Sequence, residues 1–338
     1  MFKLSLSFKI LLTILIVFSI SVFSWLEYQR FMLTPMNIDS NGYNFTVKAG
    51  SNLSKVSKEI SQLQLTNLPA VYLDIYGRLE GRAHLIKTGE YHIQPGTTLP
   101  QLLDQLIKGK VIQYGMTIIE GMTAQQVITA VRSHPHIRQT SENLDSQTVM
   151  VILGKPETNA EGWFYPETYH FPSGTTDIAF LKRVHQQMVN ALDLAWENKA
   201  ENLPYTNAYE ALIMASIIEK ETGIAEERAE IAGVFVRRLN KGMRLQTDPT
   251  VIYGLGESFD GNLRRKDLKA DTPYNTYTRY GLPPTPIALA SIESLEAALH
   301  PASGNSLYFV ATGKEGRHKF SSNLKDHNNA VRRYQLKK

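Results

Sequence analysis

The chain has 338 residues, of which 43% are hydrophobic and 20% charged, and its formal net charge is +4. These values predict a folded chain with room for two domains, and they offer no sustained basic face with interleaved aromatic residues, so we expect no nucleic-acid partner. The chain has no cysteine, which excludes disulfides and thiolate-based metal sites.

The first element is an apolar segment near the N-terminus. Residues 10–26 carry no charge and follow Lys3 and Lys9, which is typical of a membrane-spanning helix with its N-terminus inside. A cleaved signal peptide is the alternative, although the small residues of a cleavage site are only weakly represented. We expect a cytoplasmic segment over 1–9, a single-pass anchor in the cytoplasmic (inner) membrane over 10–30, and the bulk of the chain in the periplasm or extracytoplasmic space.

Three similar segments follow, each predicting a short strand, a glycine turn and an amphipathic helix. The turns contain Gly50, Gly96 and Gly121, and glycine adopts the left-handed backbone of such turns without strain. The first two segments resemble a LysM-like module, a small fold that binds N-acetylated sugars. Ordinary helix capping explains the same pattern, so both interpretations stay open.

The second half of the chain predicts a mixed helical and stranded domain. Residues 161–174 are dense in aromatic side chains, which could either line a sugar-binding cleft or pack as a loop against a helix. Apolar periodicity predicts helices over 178–196, 208–221 and 226–241, with a last strand around 307–311. The fold class is therefore α+β: an N-terminal transmembrane helix, a small LysM-like α+β module, and a mixed α/β domain.

Glu219 is the first candidate for chemistry. It follows an apolar run on the predicted helix 208–221, and on a helix it shares a face with Leu212, Ala215 and Ser216. A carboxyl held against such neighbours would be protonated at neutral pH, as glycosidic bond cleavage requires. The alternative is a solvated Glu at the edge of a core helix. We expect Lys220 and Glu221 to face outward or to end the helix, with Gly223 as its C-cap.

Polar and aromatic residues downstream favour the first interpretation. Many neutral hydrogen-bonding groups with few charges are typical of a site for a polyhydroxylated ligand. The candidate substrate-binding residues are Gln246, Asp248, Tyr253, Tyr274, Asn275, Tyr277 and Asn323.

Four motifs, SIIEKETG, RLQTDPTVIYGLG, PYNTYTRYGLPPTPI and SSNLKDHN, resemble in order those of the endolytic murein transglycosylases, the YceG-like family. The resemblance implies a catalytic domain over 161–338, after a linker and LysM-like module over 31–118 and a connecting strand–helix unit and linker over 119–160. It also implies a membrane-anchored cell-wall enzyme that cuts the MurNAc–GlcNAc bond within glycan strands, leaves 1,6-anhydroMurNAc ends, and so limits strand elongation beside peptidoglycan synthases.

The family's essential glutamate, carried onto this chain, is Glu219. Attack by the substrate's own C6 hydroxyl needs no enzymic nucleophile or bound water, so one carboxyl could act first as acid and then as base. Asp248 is the obvious second carboxylate, but its TDPT context favours a turn, cap or substrate-orienting role. No cofactor is implied.

Two other functions stay open. A metal-dependent hydrolase is disfavoured because the histidines lack ligand spacing, so we expect no metal. A non-catalytic, membrane-anchored peptidoglycan-binding scaffold that recruits wall synthases would treat Glu219 as a structural residue.

Overall fold

The structure is a computed structural model that describes residues 5–336. Lys3, one of the two lysines that orient the predicted anchor, lies outside the described residues. The helices are α1 (Leu6–Leu33), α2 (Leu53–Gln62), α3 (Ala70–Leu79), α4 (Leu99–Lys108), α5 (Ala124–Ser133), α6 (Thr148–Ile152), α7 (Asp177–Glu197), α8 (Ala208–Glu221), α9 (Ala225–Asn240), α10 (Asp248–Leu255), α11 (Ile292–Leu299) and α12 (Leu324–Tyr334).

The strands are short and pair two by two. They are β1 (Tyr43–Val47), β2 (Gly89–Ile93), β3 (Gln113–Thr117), β4 (Ile137–Arg138), β5 (Thr168–Pro172), β6 (Thr175–Thr176), β7 (Tyr308–Ala311) and β8 (His318–Ser321). The pairs are β1–β2, β3–β5, β4–β6 and β7–β8. The predicted mixture of helix and sheet with one N-terminal apolar helix is confirmed.

Helix α1 is long and apolar enough to cross a membrane. It has 28 residues and a mean hydropathy of 2.4 over its most apolar window, none of which is buried. At 1.5 Å per residue its length is about 42 Å, more than the hydrocarbon core of a bilayer. Its last turn is different, because Phe31 is buried and its ring lies 5.1 Å from that of Tyr76 on α3.

The chain divides into two compact units, the first of which comprises the residues up to Tyr114 together with Phe171–Gly174. In it β1 and β2 pair antiparallel, with Tyr43 opposite Ile93, and α2 and α3 connect them. One face of each element contributes to a core of leucine, valine, isoleucine and aromatic side chains. The order of elements is β–α–α–β; the LysM-like assignment, which rests on the spacing of the first two segments, and sugar binding stay predictions.

The three predicted strand–glycine–helix segments are present as β1–α2, β2–α4 and β3–α5. Gly50, Gly96 and Gly121 have φ of +75°, +82° and +76°, the left-handed region that glycine enters without a Cβ clash. The strand of the third segment, β3, ends at Thr117, so it lies earlier in the chain than we predicted.

The second unit comprises Gly115–His170 and the residues from Thr175 onward. Its core surrounds α8, whose residues from Ala211 to Ile218 are all buried. A helix that is apolar on every side lies inside a domain, and α7, α9, α10 and α11 pack around it. The residues 119–160 belong to this unit, and the predicted functional boundary at 160 stays a prediction.

Candidate active site

The C-terminal end of α8 carries two carboxyl groups into different surroundings. Asn207 caps the first turn by accepting a hydrogen bond from the N–H of Glu210 at 3.1 Å, and the helix ends at Thr222 in extended backbone. The predicted C-cap at Gly223 is therefore wrong by one residue. Because successive helical residues turn by about 100°, Glu219 and Glu221 project to nearly opposite sides.

Glu219 contacts the start of α11. Its Oε2 accepts hydrogen bonds from the N–H of Ser291 at 2.9 Å and from the Ser291 hydroxyl. Ser291 is also the N-cap of α11, where its Oγ accepts from the N–H of Ser294 at 3.1 Å. A helix N-terminus stabilises negative charge, so this arrangement joins α8 to α11 and leaves Glu219 with two partners inside the protein.

The expectation that Lys220 and Glu221 face outward or end the helix is confirmed, because Lys220 is exposed and Glu221 is the last residue of α8. The carboxyl of Glu221 faces the segment before α10. Its Oε1 accepts a hydrogen bond from the hydroxyl of Thr247, a residue that is 2% exposed. The pKa of the Glu221 carboxyl is raised to about 7, mainly by burial and in part by the negative charge of Asp248. The Thr247 hydrogen bond and the charges of His318 and Arg238 act in the opposite direction. Glu221 is therefore available as a proton donor near neutral pH.

Glu221 lines a cavity of about 460 Å³, which we call the Glu221 cavity. Three predicted substrate-binding residues line it too: Gln246, Asp248 and Tyr277. The Tyr277 hydroxyl donates to Oδ1 of Asp248 at 2.5 Å. Gln246 has a φ of +50°, a strained backbone that non-glycine residues adopt mostly where the surrounding structure imposes it, often at functional sites.

A buried arginine supports one wall of the Glu221 cavity. Arg238 is 7% exposed, and its guanidinium donates to the carbonyl oxygens of Leu245 and Leu307, both at 2.6 Å. It also lies over the Tyr308 ring, 5.1 Å from its centroid. Arg238 thus ties the loop that leads to Thr247 to the strand β7.

Two other predicted substrate-binding residues, Tyr253 and Tyr274, line a different cavity of about 1120 Å³. We call it the Glu161 cavity, since Glu161 lines it and is only 4% exposed. Glu161 accepts hydrogen bonds from the N–H of Ala124 at 2.9 Å and from the Tyr253 hydroxyl at 3.1 Å. Burial raises the pKa of Glu161 to about 7, against the effect of these hydrogen bonds.

The remaining two predicted contacts serve the loops that carry them. Asn275 is 1% exposed, and its Nδ2 donates to the carbonyl oxygen of Ala270 at 2.6 Å while its Oδ1 accepts from the N–H of Tyr277 at 2.9 Å. Asn323 is the N-cap of α12 and accepts from the N–H of Asp326 at 2.9 Å. Neither lines the two cavities, so their role as sugar contacts stays a prediction that the geometry does not favour.

Sequence reasoning did not single out Arg238, Thr247 as a partner of Glu221, or Glu161. Glu161 begins the aromatic segment 161–174, which is mostly packed inside the protein: Phe164 and Tyr169 are buried, and Trp163 stacks on Tyr209 with ring centroids 5.7 Å apart. The packed-loop interpretation of that segment is therefore the one that the structure supports. A Glu directly before Gly-Trp-Phe was the available signal for a buried carboxyl.

Among residues 5–336, no three His, Asp or Glu side chains converge in a way that could hold a metal ion. Glu219 lines neither cavity within the same described range. The chemistry that this site offers is therefore proton transfer by Glu221, beside a second carboxylate and neutral hydrogen-bonding groups.

Comparison with known proteins identifies the family of the chain. The model of the YceG-like family matches residues 45–333. The chain belongs to the YceG-like family.

Relatives match over most of the chain. It is 31% identical to the endolytic murein transglycosylase of Bacillus subtilis (strain 168), with 91% of this chain and 89% of that protein covered. It is 26% identical to the endolytic murein transglycosylase of Streptococcus pneumoniae (strain R6), with 92% and 62% covered. A 2.6 Å crystal structure of a YceG-like protein from Listeria monocytogenes has a TM-score of 0.52 at 30% identity and covers 86% of this chain and 99% of that one.

Proposed function

We propose that this YceG-like protein is an endolytic murein transglycosylase that cleaves the MurNAc–GlcNAc bond within peptidoglycan glycan strands and leaves 1,6-anhydroMurNAc ends. The observation that carries the proposal is the Glu221 carboxyl, which has a pKa of about 7 and lines a cavity together with Gln246, Asp248 and Tyr277. Relatives named for the same activity cover most of the chain.

Glu221 is the general acid and base in this proposal. Its protonated carboxyl donates to the glycosidic O4 as the bond to C1 breaks, and the resulting carboxylate then accepts the proton of the muramoyl C6 hydroxyl as that oxygen bonds to C1. The proton count closes, because Glu221 ends the cycle protonated and no water is consumed. One carboxyl with a pKa near the working pH is sufficient for both transfers.

Glu219 is the alternative that the sequence analysis favoured, and it stays a prediction. Its Oε2 already accepts two hydrogen bonds from Ser291, at the N-terminus of a helix. These contacts hold the Glu219 carboxyl at the start of α11. We therefore assign Glu219 to the α8–α11 junction and Glu221 to the chemistry.

Asp248 acts as an electrostatic partner of Glu221. Its carboxylate raises the Glu221 pKa, and its own position is fixed by the Tyr277 hydroxyl at 2.5 Å. A like charge nearby favours the protonated form of a carboxyl, so Asp248 helps to keep Glu221 protonated. This function needs no bond between Asp248 and the sugar.

The setting of the reaction follows from the N-terminal half. We infer that α1 anchors the chain in the cytoplasmic membrane, with the following residues outside, beside the synthases whose glycan strands it would shorten. The β–α–α–β module is consistent with LysM-like binding of N-acetylated sugars and would hold the polymer near the membrane.

The test is mass spectrometry of uncross-linked glycan strands incubated with the full chain in detergent. The proposal expects internal cleavage with products lighter by one water than hydrolysis products. Reducing-end products would overturn the non-hydrolytic step and indicate a hydrolase with Asp248 as its second carboxylate. Binding of strands by the folded chain without any cleavage would overturn the enzyme proposal in favour of a recruiting scaffold.

A further inference from the structure

The Glu161 cavity is the larger of the two, and the proposed chemistry does not use it. It lies beside α5 and α10. At two places in the chain, one residue lines this cavity and its neighbour in sequence lines the Glu221 cavity. On α8, Lys220 lines the Glu161 cavity and Glu221 the other; on α10, Pro249 lines the Glu161 cavity and Asp248 the other. Because consecutive Cα atoms are about 3.8 Å apart, the two cavities adjoin the same turns of α8 and α10.

The lining of the Glu161 cavity is rich in groups that pair with amides. Helix α5 presents the exposed side chains of Gln125, Gln126 and Thr129 to it, and Ser146 and Asn159 line it from the following loops. The amide oxygens of Gln125, Gln126 and Asn159 already accept hydrogen bonds from the N–H groups of Ser146, Thr123 and Glu161. These side chains therefore offer their NH2 groups, which match the C=O groups of a peptide.

The cavity also contains one ammonium group. The Nζ of Lys220 donates to the carbonyl oxygen of Gly121 at 3.3 Å, a weak contact that leaves its other two donors available. An ammonium attracts a carboxylate, and Glu257, which lines the same cavity, offers a carboxylate to an amino group. The ligand class that this lining fits is therefore a short peptide with a free carboxylate.

The aromatic residues of the cavity do not suit sugar stacking. Tyr253 and Tyr274 pack edge to face with centroids 4.9 Å apart. Their hydroxyls are both engaged, with Glu161 at 3.1 Å and with Thr285 at 2.9 Å. A sugar ring needs an open aromatic face, whereas here each ring is turned towards the other.

We propose that the Glu161 cavity binds the peptide stem carried by a muramoyl residue, so that the enzyme reads the peptide as well as the glycan. The proposal rests on the proposed function, because it is a muramoyl residue at Glu221 that would direct its stem into this cavity. A four-residue stem extends about 14 Å. The buried Glu161 serves as a positioning residue that ties Ala124 of α5 to Tyr253 of α10.

The test measures binding by calorimetry with the full chain in detergent and two soluble probes. One is the free tetrapeptide L-alanyl-γ-D-glutamyl-diaminopimelyl-D-alanine, and the other is N-acetylmuramic acid without a peptide. The peptide is expected to bind measurably. Ala130→Trp, which fills the cavity from α5, and Lys220→Met, which removes the ammonium from an exposed position, should each weaken it about tenfold or more.

Two control variants separate this proposal from the catalytic one. Gln187→Trp adds the same bulk at an exposed site of α7 that does not line the cavity and should leave peptide affinity unchanged. Glu221→Gln should also leave it unchanged even though cleavage is lost. A chain that cleaves strands but binds no peptide would overturn the stem site alone. Equal peptide affinity in wild type, Ala130→Trp and Lys220→Met would do the same, as would binding of the bare sugar at this cavity.

Discussion

Glu219 and Glu221 lie two residues apart on α8, yet one accepts hydrogen bonds from Ser291 at the start of α11 and the other from Thr247 before α10. The helical turn of about 200° between them places a single sequence motif in two environments. One carboxyl completes a helix cap, and the other is desolvated beside Asp248. On this divergence rests our proposal of a structural role for Glu219 and a chemical role for Glu221.

The rate of cleavage should depend on pH through Glu221. Its carboxyl must be protonated to donate, and its pKa is raised to about 7 by burial. We expect kcat/KM to be constant below this value and to fall as pH rises through it, because the acid form is lost. The measurement is the initial rate of anhydro-product formation over a pH series; a rate that keeps climbing well above neutrality would contradict the assignment.

The folding stability of the chain should also depend on pH through Glu221. The folded-state pKa of Glu221 lies above the ordinary value of 4.5, so the folded chain holds its proton more tightly than the unfolded chain. Stability from this group is complete below about 4.5 and is lost as pH rises towards 7. Glu221→Gln removes this loss, so its thermal unfolding temperature should gain on wild type between pH 5 and pH 8. A difference independent of pH would show that the carboxyl does not titrate in that window.

Asp248→Asn should move the alkaline limb of the rate profile to lower pH. The substitution removes the negative charge that raises the Glu221 pKa, and the asparagine Oδ1 can still accept from Tyr277. Asp193→Asn, at an exposed position of α7, is the matched control for a lost surface charge and should leave the limb in place. Identical profiles for Asp248→Asn and wild type would remove Asp248 from the electrostatics of the site.

Thr247→Val should move the same limb in the opposite direction. The Thr247 hydroxyl stabilises the Glu221 carboxylate and so lowers its pKa; valine has nearly the same shape without the donor. Thr247→Ser keeps the hydroxyl and should retain the wild-type limb. The profiles of the three proteins, recorded together, provide the test, and a shift to lower pH in the valine variant would be inconsistent with the observed hydrogen bond.

Ser291→Ala should reduce stability more than chemistry. It removes the N-cap of α11 and the hydroxyl that donates to Glu219, a loss of about 1–2 kcal/mol for a cap of this kind. Denaturant unfolding of the full chain in detergent measures the cost, with Ser291→Thr as the variant that keeps the cap. Cleavage assayed well below the unfolding transition should be unchanged in Ser291→Ala, whereas loss of activity by a fully folded variant would implicate Glu219 in the reaction.

The spacing of apolar residues in the sequence predicted the helices on which the site lies. Helix 208–221 is observed at Ala208–Glu221, and the predicted helix 226–241 is observed at Ala225–Asn240, because apolar periodicity reports directly which face of a helix is buried. The three glycine turns could also be predicted from the sequence, because only a few residue types adopt the left-handed backbone of such turns.

The choice between the two glutamates could not be predicted in this way. Desolvation of Glu221 depends on Thr247, which lies 26 residues further along the chain, and on Asp248 beside it. The cap that engages Glu219 comes from Ser291, 72 residues away. Sequence spacing within α8 contains neither contact, so the apolar stripe beneath Glu219 could not distinguish the two carboxyl groups, and the role of Glu219 stays a prediction.

The decisive measurement compares Glu221→Gln with Glu219→Gln in the full chain, using mass spectrometry to follow anhydro ends released from uncross-linked glycan strands. Each substitution is nearly isosteric, and circular dichroism would verify that both variants fold. We expect Glu221→Gln to lower the rate about 100-fold or more, as loss of a general acid does, while Glu219→Gln retains activity. Loss of activity in Glu219→Gln with activity retained in Glu221→Gln would contradict the assignment and return the chemistry to Glu219.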